Sequence, residues 1–265
     1  MKSRKTILGI TCLAALLCSS SMSFSQEIGC GALPTHAQLQ AALKAATGTP
    51  PAGNGGFNLH MWATVVNRDG GVCGVAFTGP ERGDQWPGSR VISAQKANTA
   101  NAFSLPSLAL STANLFTAVQ PGGSLFGLQH SNPVHTENAY AGPSANYGTA
   151  NDPLVSKKIG GVNVFGGGLA LYNGAGQLVG GLGVSGDSSC ADHNVAWKTR
   201  HALGLKRVPA GISANGDDNI VYKDPSNSPK KNALFNAWGH PECSAAATAI
   251  GNALPTSHPI QKTTP

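Results

Sequence analysis

The stretch 177-QLVGGLGVSGDSSCADHNVAWKTRHAL-203 decides how this chain folds. An apolar run enters a glycine-rich turn, and a helix-like segment carrying Cys190, His193 and His201 leaves it. Gly181, Gly183 and Gly186 spell G-x-G-x-x-G, a spacing that cradles a dinucleotide pyrophosphate inside a βαβ unit. That chemistry needs a parallel crossover and an acid about twenty residues further on. Here the run closes an antiparallel hairpin over 168–184, with its turn expected at Asn173-Gly174, and Lys206 and Arg207 stand where the acid belongs. A G-x-S-x-G nucleophile elbow fails by one residue, because Asp187 ends Gly183-Val184-Ser185-Gly186-Asp187 and no ordered Ser…Asp…His set accompanies Ser185. What remains is a strand-to-helix turn. Asp187 or Ser188 caps the helix, Asp192 suits its first turn, and Gly186 is the glycine expected at positive φ.

Working outward, the segment 59–77 reads as two apolar strands around Arg68-Asp69-Gly70-Gly71, a hairpin signature. Apolar residues at helical intervals mark 35–47, with Thr35 as cap, and 89–104. A second helix is expected over 107–119, beyond Pro106. The segment 121–168 is rich in Gly, Pro, Asn and Ser and reads as a long ordered loop with a short strand at SLFGLQ. Past Pro209 the tail is polar until ECSAAATAIGNAL, a last helix. Helix, hairpin, helices, loop, hairpin, helix is an α+β order with an antiparallel sheet.

The chain has 265 residues, a formal charge of +6 and only 11% charged residues. Lys2, Arg4 and Lys5 precede the apolar ITCLAALLC, and Ser23 and Ser25 sit at the small-residue positions before Gln26, the pattern of a secretory signal peptide over 1–25. Its removal takes away those three basic residues and no acid, so the charge falls from +6 to +3. A weakly basic chain with scattered charges offers no electrostatic footprint for nucleic acid, an acidic substrate or a membrane surface. No later stretch is long and apolar enough for a membrane span. Export to a periplasmic or secreted location is therefore expected. Cys30, Cys73, Cys190 and Cys243 remain after removal of the signal, an even number without C-x-x-C, and they read as two disulfides.

The hairpin 63-ATVVNRDGGVCGVAF-77, the helix 93-SAQKANTANAF-103 and the strand ending in GGLGVSGD with the helix carrying Asp192 after it, in this chain order, resemble the haem-degrading HbpS/GlcG-like family over about residues 35–205. The resemblance implies a profilin-like antiparallel β-sheet flanked by helices, a homo-oligomer, and haem as cofactor, bound or slowly degraded. It divides the chain into a signal peptide (1–25), an HbpS/GlcG-like domain (26–208) and a C-terminal extension packed on the domain (209–265). The chain departs from the short family pattern in its long loop insertion, 129-QHSNPVHTENAYAGPSANYGTANDPLVSKK-158, in that extension and in its cysteines. A binding protein, at most a weak haem degrader and without assigned catalytic residues, is the reading favoured. A cofactor-free structural or sensory oligomer, or a protein handling another small molecule in the same pocket, is the alternative.

Ile92, Lys96, Thr99, Ala100 and Phe103 share one helical face. Lys96 and Thr99 on that apolar stripe suggest a pocket wall, with Thr99 near a haem iron and Lys96 toward a carboxylate. An interface helix, with Lys96 snorkelling and Thr99 bonded to its own backbone, is the competing reading and the one favoured. His193, Trp197 and His201 recur every fourth residue, which makes His193 an axial-ligand candidate beside a solvated-helix reading. His130 and His135 are weak candidates for a metal, against an ordinary loop role. Asp217 and Asp218 read as a solvated turn. In the implied profilin-like sheet, Cys30–Cys243 and Cys73–Cys190 are the expected disulfide pairs.

Overall fold

A computed structural model describes residues 29–224, 226 and 228–262, so the expected signal peptide lies outside the described residues. The elements are α1 (His36–Thr47), β1 (Trp62–Asn67), β2 (Val72–Phe77), α2 (Ser89–Ala102), α3 (Thr136–Ala139), β3 (Gly168–Tyr172), β4 (Leu178–Ser185), α4 (Ser189–Ala202), α5 (Pro229–Trp238) and α6 (Ala245–Ser257). The strands form one antiparallel sheet in the order β2-β1-β4-β3. This is the α+β arrangement of an antiparallel sheet with helices that the sequence led us to expect.

The two faces of the sheet are built differently. On one, Val65 pairs with Leu182 and Leu182 with Leu169, and this apolar row packs with Leu39 and Leu43 of α1 and Val195 and Trp197 of α4. Each fully buried leucine or valine there stabilises the fold by roughly 2 kcal/mol. On the other face the registered row is Thr64, Gly183 and Gly168, and the next is Val66, Gly181 and Ala170. These small residues let α2 lie with its backbone against β4. A Cβ on Gly183 would sit 1.9 Å from the Ser93 carbonyl oxygen, and one on Gly181 would sit 2.1 Å from that of Ala97. The glycines of the opening stretch thus serve helix–sheet contact. Gly186 has φ 155°, and a Cβ there would meet the His60 carbonyl oxygen at 2.6 Å.

Local chemistry explains the turns. Thr35 forms a capping box with Gln38 at α1. Asn67 Oδ1 accepts from the backbone N–H of Asp69 and Gly71, closing the first hairpin. In the second, Asn173 Oδ1 accepts from Ala175 and Gln177, and the positive φ falls at Gly176 rather than in the expected Asn173-Gly174 pair.

Several expectations are corrected. The helix expected over 107–119 is two 3-10 turns, Thr112–Leu115 and Thr117–Val119, the first held by a Ser111–Asn114 capping box. SLFGLQ forms turns, not a strand, and α5 was not foreseen in the polar tail. The disulfides are Cys30–Cys73 and Cys190–Cys243, not Cys30–Cys243 and Cys73–Cys190. Cys73 lies at an irregularity in β2, between the residues paired to Val65 and Val66, and meets the segment leading into α1. The tail meanwhile folds onto α4, which brings Cys243 to Cys190. Each bridge closes a loop of about fifty residues, worth about 4 kcal/mol in the chain-entropy model.

Each sheet edge is paired at one end. Ser156 N–H donates to Val72 O and Val72 N–H to Lys157 O, so the insertion covers β2. Tyr172 N–H donates to Leu205 O at the edge of β3. The insertion is fixed by buried Arg90, which forks onto Asp152, donates to Ala139 O at 2.7 Å and stacks on Tyr147.

Gly183→Ala should destabilise the protein by at least about 2 kcal/mol in urea unfolding, because its Cβ meets backbone that cannot rotate away. Gly174→Ala, with open space around it, should stay within about 0.5 kcal/mol of wild type. Equal effects would contradict the close-approach explanation.

Candidate functional site

The polar groups of the interior converge on α4. Ser188 caps it, its hydroxyl accepting from Ala191 N–H, and Asp187 accepts from the backbone of Phe57 and Leu59. From α2, across the sheet turn, Lys96 Nζ donates to Asp192 Oδ2 at 2.7 Å and to Val184 O at 3.1 Å, with the Phe165 ring 4.7 Å away. Burial raises the Asp192 pKa to about 6 against the pull of Lys96, and burial likewise holds Lys96 below its ordinary value despite Asp192.

The residues expected to face a ligand are all interior. Lys96, Thr99 and His193 are 0% exposed. Thr99 Oγ1 donates to Gln95 O at 2.8 Å and accepts from Asn163 N–H at 3.0 Å. Thr99→Val would leave that buried N–H without its partner, so the hydroxyl belongs to the fold. His193 Nε2–H donates to Asn219 Oδ1 at 3.0 Å, while Nδ1 has no partner among the described residues. Burial lowers the His193 pKa to about 4. The space between α2 and α4 is filled by the chain at Gly166-Gly167-Gly168. A Cβ on Gly166 would lie 2.2 Å from Ser189 O and one on Gly167 2.3 Å from Val184 O. Lys96 and His193 flank this glycine segment from opposite helices, and the pocket wall expected of Lys96 and Thr99 is instead packed interior.

The histidines of the insertion have separate places. His130 is exposed with its ring edge-on to Phe126, and exposed His135 caps α3, Nδ1 accepting from Asn138 N–H. Among the described residues the cluster of three or more potential metal ligands is Cys190, His240 and Cys243, which does not include them. Asp217 and Asp218 are buried rather than solvated: Asp218 takes a two-pronged bond from Arg200 at 2.6 and 2.8 Å, and Asp217 accepts from Ser213.

Sequence reasoning missed Ser189 and His240, and took Asn219 only as part of the turn with Asp217 and Asp218. Ser189 Oγ–H donates to His240 Nε2 at 2.7 Å, and His240 Nδ1–H donates to Pro241 O at 2.7 Å. The spacing His240-x-x-Cys243 and the unbroken polar run 217–219 were the available signals.

The family model described as "Haem degrading protein HbpS-like" matches residues 35–200, from the cap of α1 to the last turn of α4. The chain belongs to this HbpS-like family. No curated protein matches it. Among solved structures it is similar to a PduOC–heme complex (26% identity, 66% of this chain and 96% of that one, TM-score 0.45). It is also similar to Klebsiella pneumoniae protein ORFY (24%, 64% and 90%, TM-score 0.43) and to HbpS (17%, 64% and 90%, TM-score 0.38).

The match ends where the tail begins to cover α4, and the HbpS-like part is bound to that tail by its own side chains. Asn194 Nδ2 donates to Ala247 O at 3.1 Å and Trp197 Nε1 to His258 O at 2.9 Å. His193–Asn219, Arg200–Asp218 and Cys190–Cys243 complete the seal.

The buried imidazole sets a pH dependence. A folded pKa of about 4 against 6.5 unfolded means that the unfolded chain takes up the proton first. Stability present above pH 6.5 is lost as the pH falls through 4, by about 3 kcal/mol. Asp192, raised to about 6, acts with opposite sign in the same window, so the difference between wild type and His193→Gln isolates the histidine. That difference should fall by about 3 kcal/mol between pH 7 and 4 in urea unfolding. A pH-independent difference would contradict a neutral, buried His193.

Proposed function

We propose that this chain is an exported haem-binding protein that holds its haem outside the sealed α4 cluster. The observation that carries the reading is membership of a family described as haem-degrading, matched over 35–200. Export is supported by two disulfides, which persist in oxidising compartments, and by the signal-like start of the sequence. No described helix is long and apolar enough to cross a membrane.

Lys96, Thr99 and His193 do not fit a haem, since each is enclosed and the first two are fully engaged by the fold. A groove of about 550 Å³ between α1 and the end of α4 fits better. Leu33, Pro34, Ala41, Ala42, Leu203 and Leu205 line it beside the polar Gln38, a mixed surface whose apolar part could take a porphyrin face. The half-exposed His201 precedes Ala202 of the lining and would supply an imidazole. Burial, then Lys206 and His258, lower its pKa and favour the neutral, ligating form. Lys206, whose Nζ lies 2.6 Å from His201 Nε2, would have to release that nitrogen for it to ligate.

Haem titration tests the reading. A saturable Soret change with one haem per chain is expected, weakened at least about tenfold by His201→Ala, on the scale of losing a ligand contact, and unaffected by His193→Gln. Loss in His193→Gln alone would place the haem in the core. Absence of a saturable change would leave a cofactor-free structural or sensory role. The family's name favours a second reading, slow haem breakdown, which peroxide-dependent bleaching with released iron would assign.

A further inference from the structure

The first turn of α4 and the segment before α6 bring together a cluster of potential ligands away from the groove. Cys190, His240 and Cys243 place one imidazole nitrogen and two sulfurs within 4.8 Å of one another. His240 Nδ1 is 4.0 Å from Cys190 Sγ. His240-x-x-Cys243 is a short ligand spacing, and Cys190 arrives from a different element, as in compact metal sites that clamp two segments together. The sulfurs are joined as a disulfide in the structure.

Three features go beyond what a disulfide requires. Each sulfur accepts a backbone N–H from the opposite cysteine: Cys190 N–H to Cys243 Sγ at 3.1 Å, and Cys243 N–H to Cys190 Sγ at 3.2 Å. Such donors stabilise a thiolate far more than a disulfide sulfur, and Cys190 also lies in the first turn of a 14-residue helix, where negative charge is favoured. Second, the His240 ring is held from behind by Ser189, whose Oγ bonds Nε2 at 2.7 Å. A serine hydroxyl both donates and accepts, so the ring can move its proton from Nδ1 to Nε2 and free Nδ1 as a ligand without losing this bond. Third, Cys190 and His240 are buried while Cys243 is exposed, so the pair is approached by solvent from the Cys243 side and the other two ligands are shielded.

We propose that, once reduced, Cys190, Cys243 and His240 bind a thiophilic d10 cation, Zn²⁺ or Cu⁺, as a Cys₂His site. Reduction requires a dithiol reductant. Its thiolate attacks exposed Cys243 Sγ, the bond between Cys190 and Cys243 breaks, and Cys190 leaves as the thiolate held by backbone N–H groups. The second thiol of the reductant then resolves the mixed disulfide and leaves with it as an oxidised disulfide. Two electrons and two protons pass to the protein. Metal binding displaces those two protons, and the two thiolates neutralise a divalent ion. The sulfurs must separate to about 3.8 Å, the span set by Zn–S bonds of about 2.3 Å in a tetrahedron. The ion would keep α4 tied to the tail when the covalent bond is open.

The test uses the full chain, reduced with a phosphine under anaerobic conditions, freed of reductant and titrated with Co²⁺ as a spectroscopic stand-in for Zn²⁺. Circular dichroism is recorded in parallel. One equivalent of Co²⁺ should give tetrahedral d–d bands with sulfur-to-cobalt charge transfer, and Zn²⁺ should abolish both. Ser189→Ala should weaken binding about tenfold, as loss of an outer partner does. His240→Gln and Cys243→Ser should lose the tetrahedral spectrum, while Cys30→Ser/Cys73→Ser, which removes the other sulfur pair, should keep it. The oxidised protein should bind no cobalt. Folded, reduced protein without these bands would overturn the proposal. So would bands that persist in His240→Gln, or unfolding on reduction that Zn²⁺ does not reverse.

Discussion

The close approach of α2 to β4 is the contact on which the rest of the molecule depends. With only hydrogen on the facing Cα of Gly181 and Gly183, the helix backbone lies directly on the strand. Lys96 is carried into the interior at that depth, with Val184 O and Asp192 as its partners. A lysine there needs a carboxylate, because removing one member of a buried pair leaves an uncompensated charge that costs about 3–5 kcal/mol. Asp192 answers it from the first turn of α4. The ion pair therefore fixes where α4 starts and how the turn at 185–188 runs.

Once α4 is placed, its own composition calls for a cover. His193, Asn194, Trp197 and Arg200 all present polar atoms in positions that end up buried, and buried polar atoms need partners. The tail supplies Asn219, Ala247 O, His258 O and Asp218 in turn. The insertion does the same on the far side of the sheet, where Asp152 answers Arg90 and 156–158 complete the edge of β2. The insertion and the tail thus satisfy donors and acceptors of α2 and α4. Side chains with ligand-like chemistry are committed to the fold as a result.

Helices at 36–47 and 89–102 and both hairpins were legible, because periodicity, Thr35 and Asn67 act locally. The turn at 181–187 was legible as a turn, but not the reason for its glycines, which lies in a helix about ninety residues earlier. Lys96 and Thr99 on an apolar stripe carry the same signature whether they face a ligand or a buried partner. Asp192, the partner that decides, is 96 residues away. The disulfide pairing failed for a related reason: it depends on the path of a tail with few apolar anchors, and that path follows polar bonds to α4 that no periodicity announces. The 107–119 helix failed because backbone donors at its start are taken elsewhere, Ala109 N–H by Ala210 O of the tail and Leu110 N–H by Ser104 Oγ.

The structural role of the Lys96–Asp192 pair is tested most directly by a double-mutant cycle of Lys96→Met and Asp192→Asn, read by urea unfolding and haem titration together. If the pair holds the fold, each single change should cost about 3 kcal/mol or more, and the double variant should recover much of that loss. Folded variants should then titrate with haem as wild type does. Single variants that keep wild-type stability yet lose the haem titration would contradict this, and would return Lys96 to a ligand site.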